Sequence, residues 1–317
     1  MTMRAIAITE DHQLELIELP EPVPAPGEVL VDAVAAGVNR ADVAQTAGKY
    51  PPPPNTSELP GLEVSGHRRD TGEPVLALLA GGGYAEVVAV PEGQLLPVPE
   101  GLDLVDAAGV IEVCATVVSN LVLEGALAEG ETVLIHGGTG GIGTVAIQLA
   151  RHLGARVLTT VGSDDGVHQV RGLGADMAWN RRTTDLLEAV RETGGADVIL
   201  DIVGGPALAD NVGMLREHGR LVIIGTLGGA HGELPIGMLM GKRARVIGTT
   251  LRSRRTEEKR EILEATEALA WPLLTDGSLT VPVHARFPLE QAATAHEVLT
   301  TGGHLGKVIL EVAPRTS

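Results

Sequence analysis

Residues 132–154 read TVLIHGGTGGIGTVAIQLARHLG. An apolar run suited to a buried strand passes through a turn built almost wholly of glycine. It enters a stretch whose apolar residues Ile142, Val145, Ala146 and Leu149 recur at helical spacing. Gly138, Gly141 and Gly143 lie close to the spacing of the dinucleotide fingerprint without matching the plain G-x-G-x-x-G. A turn this tight needs residues without Cβ. Backbone N–H groups can then approach a diphosphate while the following helix N-terminus faces its charge. A glycine cluster alone is weak evidence, but this one sits in strand–turn–helix context and is followed by the apolar run ARVLTTV (155–161). The candidate diphosphate site is therefore Gly138, Thr139, Gly140, Gly141, Ile142 and Gly143.

Outward from this turn, strands and helices alternate. ADVILDIVGG (196–205) precedes PALADNVGMLREHG (206–219), and GRLVIIGTLGG (219–229) and RARVIGTTL (243–251) close the series. Apolar runs separated by helical segments predict a doubly wound parallel sheet. The first hundred residues differ. Short strands (MRAIAI, LELIEL, EVLVDAVAAGV, PVLALL, YAEVVAV) are punctuated by PEPVPAPGE, KYPPPPNTSELPG and LAGGGY, which predicts an irregular β-barrel. The stretch 40–47 reads as a brief helix, and DLVDAAGVIEVCATVVSNLVLEG as an apolar helix with Asp103 or Asp106 near its start. A long helix is expected from Arg255 to about Leu274, then helix and strand in the tail, the last strand rejoining the first domain. The fold class is α/β: a barrel domain over 1–115 completed by 275–317, and a Rossmann domain over 116–274.

The choice of nicotinamide turns on the end of the second strand. An NAD site places an acid there for the ribose 2′-OH. Here Val161 is followed by Gly162 and Ser163, which removes the acid and offers a hydroxyl to a 2′-phosphate. Asp164 and Asp165 come next and leave NAD open, although acids at a helix N-terminus have their own electrostatic reason. Arg181, after the third strand, can give charge-assisted hydrogen bonds to a 2′-phosphate or stand idle at the surface. NADPH is the expected cofactor, with NADH the less favoured.

Composition narrows the class further. A formal net charge of −17 in 317 residues repels nucleic acid and anionic lipid. The few aromatics, Tyr50, Tyr84, Trp179, Trp271 and Phe287, give no stacking platform for single strands. The one cysteine, Cys114, forms no intrachain disulfide and no Cys-rich metal site, and the scattered histidines make no HExxH. No uninterrupted apolar run reaches the roughly 18 residues of a membrane span. The opening MTMRAIAITEDHQLEL lacks the layout of a secretory signal, so a cytoplasmic location is expected.

With the glycine turn, GADVILDIVGG and the strand-rich first hundred residues in place, the chain resembles the medium-chain dehydrogenase/reductase superfamily. The zeta-crystallin-like quinone oxidoreductases fit best, and within them the branch that includes the tumour-suppressor-induced quinone reductase. GVNRADVAQTAGKYPPPP (37–54), LPGLEVSG (59–66), VPEGLDLVDAAGVIEVCAT (98–116), TLRSR (250–254) and GGHLGKVILEV (302–312) carry the resemblance, which runs nearly end to end. It implies a GroES-like domain with a Rossmann domain, and NADPH-dependent reduction of quinones or α,β-unsaturated carbonyls, small-molecule substrates both. It also implies a homodimer paired through the strand at 245–250. Zinc-containing relatives place cysteine where this chain has Asn39, and GHE where it has Gly61-Leu62-Glu63, so reduction without metal is expected.

By the same resemblance Tyr50 and Asn39 line the substrate side, and Thr116 faces the nicotinamide. Gly140 to Gly143 hold the diphosphate and Ser163 the 2′-phosphate. The loops at Val203 and Gly225-Thr226-Leu227, with Leu251 and Ser253, flank the cofactor. Two departures stand out: Gly166 replaces a common phosphate-binding lysine, and Arg181 a common tyrosine. Tyr50 is a candidate proton donor, or it simply packs over the proline run. Asn39 can bond a substrate carbonyl, or serve as a turn residue. Arg252, Arg254 and Arg255 form a basic knot that either steers phosphates or opens a helix at the surface. Two other functions compete with the quinone reductase: a discrete enoyl-thioester reductase, and a cofactor-binding protein with a non-catalytic role.

Overall fold

The glycine turn organises one of two compact units. The computed structural model describes residues 1–312, and it divides into Met1–Ala115 with the chain from Leu251 onward, and Thr116–Thr250.

The first unit opens with a hairpin of β1 (Thr2–Ile8) and β2 (Leu14–Pro20). The central strand β3 (Glu28–Val38) runs into the short helix α1 (Arg40–Thr46). Strands β4 (Glu63–Arg68), β5 (Pro74–Leu78), β6 (Val87–Pro91) and β7 (Leu95–Pro97) follow. An apolar helix then starts as α2 (Leu104–Ala107) and α3 (Ile111–Val117), and continues in π form over Val118–Glu124. Asp103 caps its start by accepting from the N–H groups of Val105 and Asp106. By length and composition Leu104–Glu124 could cross a membrane, but 78% of its most apolar window is buried within the protein, as in a core helix.

The second unit is β8 (Thr132–His136), α4 (Gly141–His152), β9 (Arg156–Val161), α5 (Asp164–Gly172), β10 (Met177–Asn180) and α6 (Leu186–Glu192). It continues with β11 (Ala196–Asp201), α7 (Leu208–Met214), β12 (Leu215–Ile223), α8 (Ile236–Lys242) and β13 (Arg245–Gly248). All five pairings are parallel, in the order β10-β9-β8-β11-β12-β13. Counting from β8, this is the 3-2-1-4-5-6 order of the Rossmann fold. Leu134, Leu158, Ile199 and Leu221, one from each of four adjacent strands, are fully buried in one cluster, which explains why these segments read as unbroken apolar runs.

The chain then returns to the first unit with α9 (Thr256–Thr275), β14 (Val283–Pro288), α10 (Ala292–Thr301) and β15 (Lys307–Glu311). β15 pairs antiparallel with β3, so the last strand does rejoin the first domain. The path β14-β15-β3-β4-β5-β7, with β6 also on β3, is antiparallel except for the β14–β15 pair. Its two ends are not paired to each other. This largely antiparallel sheet is consistent with the GroES-like domain, although among the described residues no strand pairing closes it into a barrel. The boundary expected at 274/275 falls instead at Thr250/Leu251. The cause is packing of α9 on the first unit, where Trp271 Nε1 donates to the Pro97 carbonyl at 2.8 Å.

Candidate functional site

The glycine turn lies at the carboxyl end of β8, at the point where strand order reverses between β8 and β11, which is where open α/β sheets bind ligands. Its amides do not all serve one purpose. The N–H groups of Gly137 and Gly138 both donate to the Thr160 carbonyl, at 3.0 and 2.9 Å, and Gly140 N–H donates to the Gly137 carbonyl at 3.1 Å. The N–H groups of Thr139, Gly141, Ile142 and Gly143 have no acceptor among the described residues. The amides left free are those of Thr139 and the first turn of α4, whereas Gly138 and Gly140, both named for the diphosphate, spend theirs within the turn. Gly143 has no room for a side chain: a Cβ there would stand 2.2 Å from the Gly137 carbonyl oxygen. A Cβ on Gly140 would meet only that same oxygen, at 3.5 Å.

His136, at the tip of β8, was not singled out by sequence, and it braces this turn. It is 5% exposed, with Nδ1 3.1 Å from Thr160 Oγ1 and Nε2 2.8 Å from Asn211 Oδ1. Burial pushes its pKa below the usual histidine range, so it is neutral at pH 7. The only available signal was its place directly before the glycines.

The residues expected at the adenosine end lie where β9 and β10 finish. Ser163 caps α5 by accepting from Gly166 N–H at 3.2 Å, leaving its own O–H to donate. Arg181 N–H bonds the Val161 carbonyl, and a Cβ on Gly162 would stand 3.1 Å from Arg181 Nη1. The guanidinium therefore lies over Gly162, beside Ser163 in sequence. Asp164 is held by Asn180 Nδ2 at 2.9 Å, and with Asp165 occupies the first turn of α5. A Cβ on Gly166 would meet Thr139 Cγ2 and Val161 Cβ, both at 3.2 Å, so a lysine here would press on the turn. The loops at Val203 and Gly225-Thr226-Leu227 are tied together: Leu227 N–H donates to the Ile202 carbonyl and Gly228 N–H to that of Val203. Thr116 is 5% exposed and stands at the start of this unit.

In the first unit the residues at the zinc-ligand positions form a closed polar cluster. Glu63 is fully buried and Lys307 3% exposed, with Nζ 2.7 Å from Glu63 Oε1, 2.6 Å from Asn39 Oδ1 and 3.1 Å from the Val38 carbonyl. Asn39 Nδ2 donates to Glu63 Oε1 at 3.0 Å, and Glu112 N–H to Glu63 Oε2 at 3.0 Å. An ammonium thus stands among the acceptors at these positions, and all three of its protons are used. Leu62, at the histidine position, is buried and apolar. This donor set does not suit zinc, and among the described residues no group of three or more His, Cys, Asp or Glu could hold a metal ion. Asn39 is 8% exposed with both ends of its amide engaged, a placement its expected substrate role did not include. Glu63 thus has three partners.

Tyr50 is half-buried, and burial raises its phenol pKa. The Arg252 guanidinium carbon lies 5.2 Å from its ring centroid. Arg252 is 5% exposed and so departs from the surface reading of the basic knot, whereas Arg255, 78% exposed at the N-cap of α9, does open a helix at the surface. Tyr84 is fully buried, and Cys114 is a buried thiol whose pKa burial pushes up, so neither is a surface reagent. Leu251 and Ser253 open the returning segment of the first unit.

A 3-2-1-4-5-6 parallel sheet with free amides at its switch point is the architecture of a dinucleotide-binding domain. The family described as zinc-binding dehydrogenase matches residues 141–268. A quinone oxidoreductase of Lama guanicoe is 31% identical over 326 residues, covering 97% of each chain. A quinone oxidoreductase of Thermus thermophilus, whose crystal structures include an NADPH complex, superposes with a TM-score of 0.82 at 32% identity, covering 98% of this chain and 100% of that one. A mycocerosic acid synthase-like polyketide synthase of Mycolicibacterium smegmatis is 28% identical over 95% of this chain, which spans only 15% of that protein. The chain belongs to the quinone oxidoreductase family, a family of NAD(P)-dependent oxidoreductases.

Proposed function

We propose that this protein reduces quinones or α,β-unsaturated carbonyls with NADPH and without metal. The observation that carries the reading is the set of unpaired amides of Thr139, Gly141, Ile142 and Gly143 at the switch point, with Arg181 over Gly162 where a 2′-phosphate would arrive. When bound, NADPH supplies the hydride. The chain's share is to bind and orient. Thr139 and the first turn of α4 take the diphosphate, Ser163 and Arg181 take the 2′-phosphate, and the Val203 and Gly225–Leu227 loops support the nicotinamide half. Metal-free chemistry is favoured by Lys307, whose ammonium stands among Asn39, Glu63 and the Val38 carbonyl. Tyr50 lines the substrate side, and a reduced quinone can take its proton from water without a dedicated acid.

Steady-state kinetics with both nicotinamides, a quinone panel and an enone panel, before and after chelator treatment, tests this directly. The expected result is NADPH-dependent turnover that survives chelation. Activity that appears only with added zinc, or none with either panel, would refute it. The match to part of a polyketide synthase favours enoyl-thioester reduction as a second reading, decided by including an enoyl thioester in the same panel. The assembly we propose is a homodimer. β13 is an edge strand, and α8 in the same unit exposes Ile236 (62%) and Met240 (71%), surface that a second copy would cover. Light scattering that finds only monomers at micromolar concentration would refute the dimer.

A further inference from the structure

The first unit holds two buried cations that no carboxylate neutralises. Arg252 donates to the carbonyls of Ala80 and Tyr50, at 2.7 and 3.1 Å, and to Gln45 Oε1 at 2.7 Å, all neutral acceptors. Lys259, in the first turns of α9, is 4% exposed, and its ammonium has no hydrogen bond or ion pair among the described residues. Burial first, and the charge of Arg252 second, lower the Lys259 ammonium to about 8, so at neutral pH it is still mainly charged. The rest of the unit behaves differently. Arg4 is paired with Glu86, Arg69 with Asp32, Arg286 with Asp106 and Lys307 with Glu63. Nearby acids are already committed: Asp42 accepts from Asn39 N–H, Gly61 N–H and the Tyr84 hydroxyl, and Glu258 pairs with Arg255.

A lysine that is 4% exposed and unpaired costs stability, and in a chain of net charge −17 there are acids to spare for neutralising it. The pair of charges suits an anion that arrives from outside. We propose that Arg252 and Lys259 form a receptor for a phosphoryl, sulfonate or carboxylate group of a bound ligand. Arg252 keeps two of its five N–H groups for it, and Lys259 contributes three. The Tyr50 ring, against which the guanidinium rests, ties the receptor to the expected substrate side. Two sources fit this chemistry: a phosphoryl group of the cofactor, or an anionic substituent on the substrate. The substrate source rests on the reductase reading, and the binding of a simple anion does not.

The test compares the parent chain with Lys259→Met and Lys259→Arg. Without ligand, the Met variant should unfold at the same or a higher temperature, because an uncompensated charge is gone. Calorimetric titration with inorganic pyrophosphate should show an affinity loss of roughly tenfold or more in the Met variant, with the Arg variant holding within about threefold. The amides of the glycine turn are unchanged in all three proteins, so their share of pyrophosphate binding cancels. If the Met variant does not fold, Lys259→Gln takes its place. A higher Kd for NADPH in the variant assigns the anion to the cofactor. A higher KM for 1,4-naphthoquinone-2-sulfonate, with 1,4-naphthoquinone unchanged, assigns it to the substrate. If pyrophosphate affinity, NADPH Kd and the KM ratio all stay within about twofold, the proposal is wrong. If the parent turns over neither quinone, the reductase reading fails while the pyrophosphate arm still decides the receptor.

Discussion

Asp42 and His296 meet at one hydroxyl, and their opposed burial costs should make the pH response of the first unit nearly flat until one of them is removed. Tyr84, fully buried, donates to Asp42 Oδ2 at 3.2 Å and lies 3.1 Å from His296 Nε2. A hydroxyl has one proton to give, so a neutral His296 must donate from Nε2 to the tyrosine oxygen. Burial is the largest influence on both groups. It lifts Asp42 from 3.8 to about 6, against the pull of the Asn39 and Gly61 N–H groups, and it lowers His296 from 6.5 to about 4. At about 1.4 kcal/mol per pH unit, each displacement is worth about 3 kcal/mol.

The signs oppose each other. Between pH 3.8 and about 6 the folded chain holds a proton on Asp42 that the unfolded chain has released, so this contribution to stability falls as pH rises. Between about 4 and 6.5 the unfolded chain binds a proton that folded His296 refuses, so this contribution rises with pH. His296→Gln, which keeps a donor for Tyr84, should unmask the first slope and lose about 3 kcal/mol from pH 4 to 6. Asp42→Asn should unmask the second and gain about as much from pH 4 to 6.5. Urea denaturation followed by the fluorescence of Trp271, which lies in the same unit, reads both. If the two variants keep the parent's pH dependence within about 1 kcal/mol, burial does not govern these groups and the reasoning is refuted.

Three further outcomes are expected. Gly143→Ala, whose Cβ would press on backbone, should cost about 1–3 kcal/mol and abolish NADPH binding, whereas Gly140→Ala should leave the fold within about 1 kcal/mol; equal urea midpoints for the two would refute the turn geometry. Arg181→Ala should lower the NADPH/NADH ratio of kcat/KM by roughly tenfold, and an unchanged ratio would remove Arg181 from the 2′-phosphate site. Lys307→Met leaves the Glu63 carboxylate buried without its cation and should cost about 3–5 kcal/mol by chemical denaturation; a loss below about 1 kcal/mol would mean the pair is not buried as described.

The parallel sheet was legible because its strands are apolar on both faces and its punctuation is glycine. The first unit was read less completely. EVSGHR (63–68) forms β4 although His67 and Arg68 break any apolar run, and VHARFP (283–288) forms β14 beside β15. Local propensity is a weak guide where a cross-strand neighbour decides. At the candidate site, the glycines marked the turn at the switch point but not which amides stay free, since that depends on the Thr160 carbonyl across the strand pair. Glu63, Lys307 and Asn39 meet from positions up to 268 residues apart, and no spacing rule joins them. Arg252 looked like surface because its partners, Gln45, Tyr50 and Ala80, lie some two hundred residues upstream.

The pairing of β15 with Ala35–Val38 of β3 has a consequence for biosynthesis. On the ribosome, the stretch Thr116–Thr250 emerges whole and can close its sheet at once. The segment ahead of it must wait for the final strand, leaving β3 with a raw margin of unmet carbonyls and amides. Chains cut short before Lys307 should therefore carry a finished nucleotide half tethered to a sticky one. Such fragments would be expected in inclusion bodies rather than in solution.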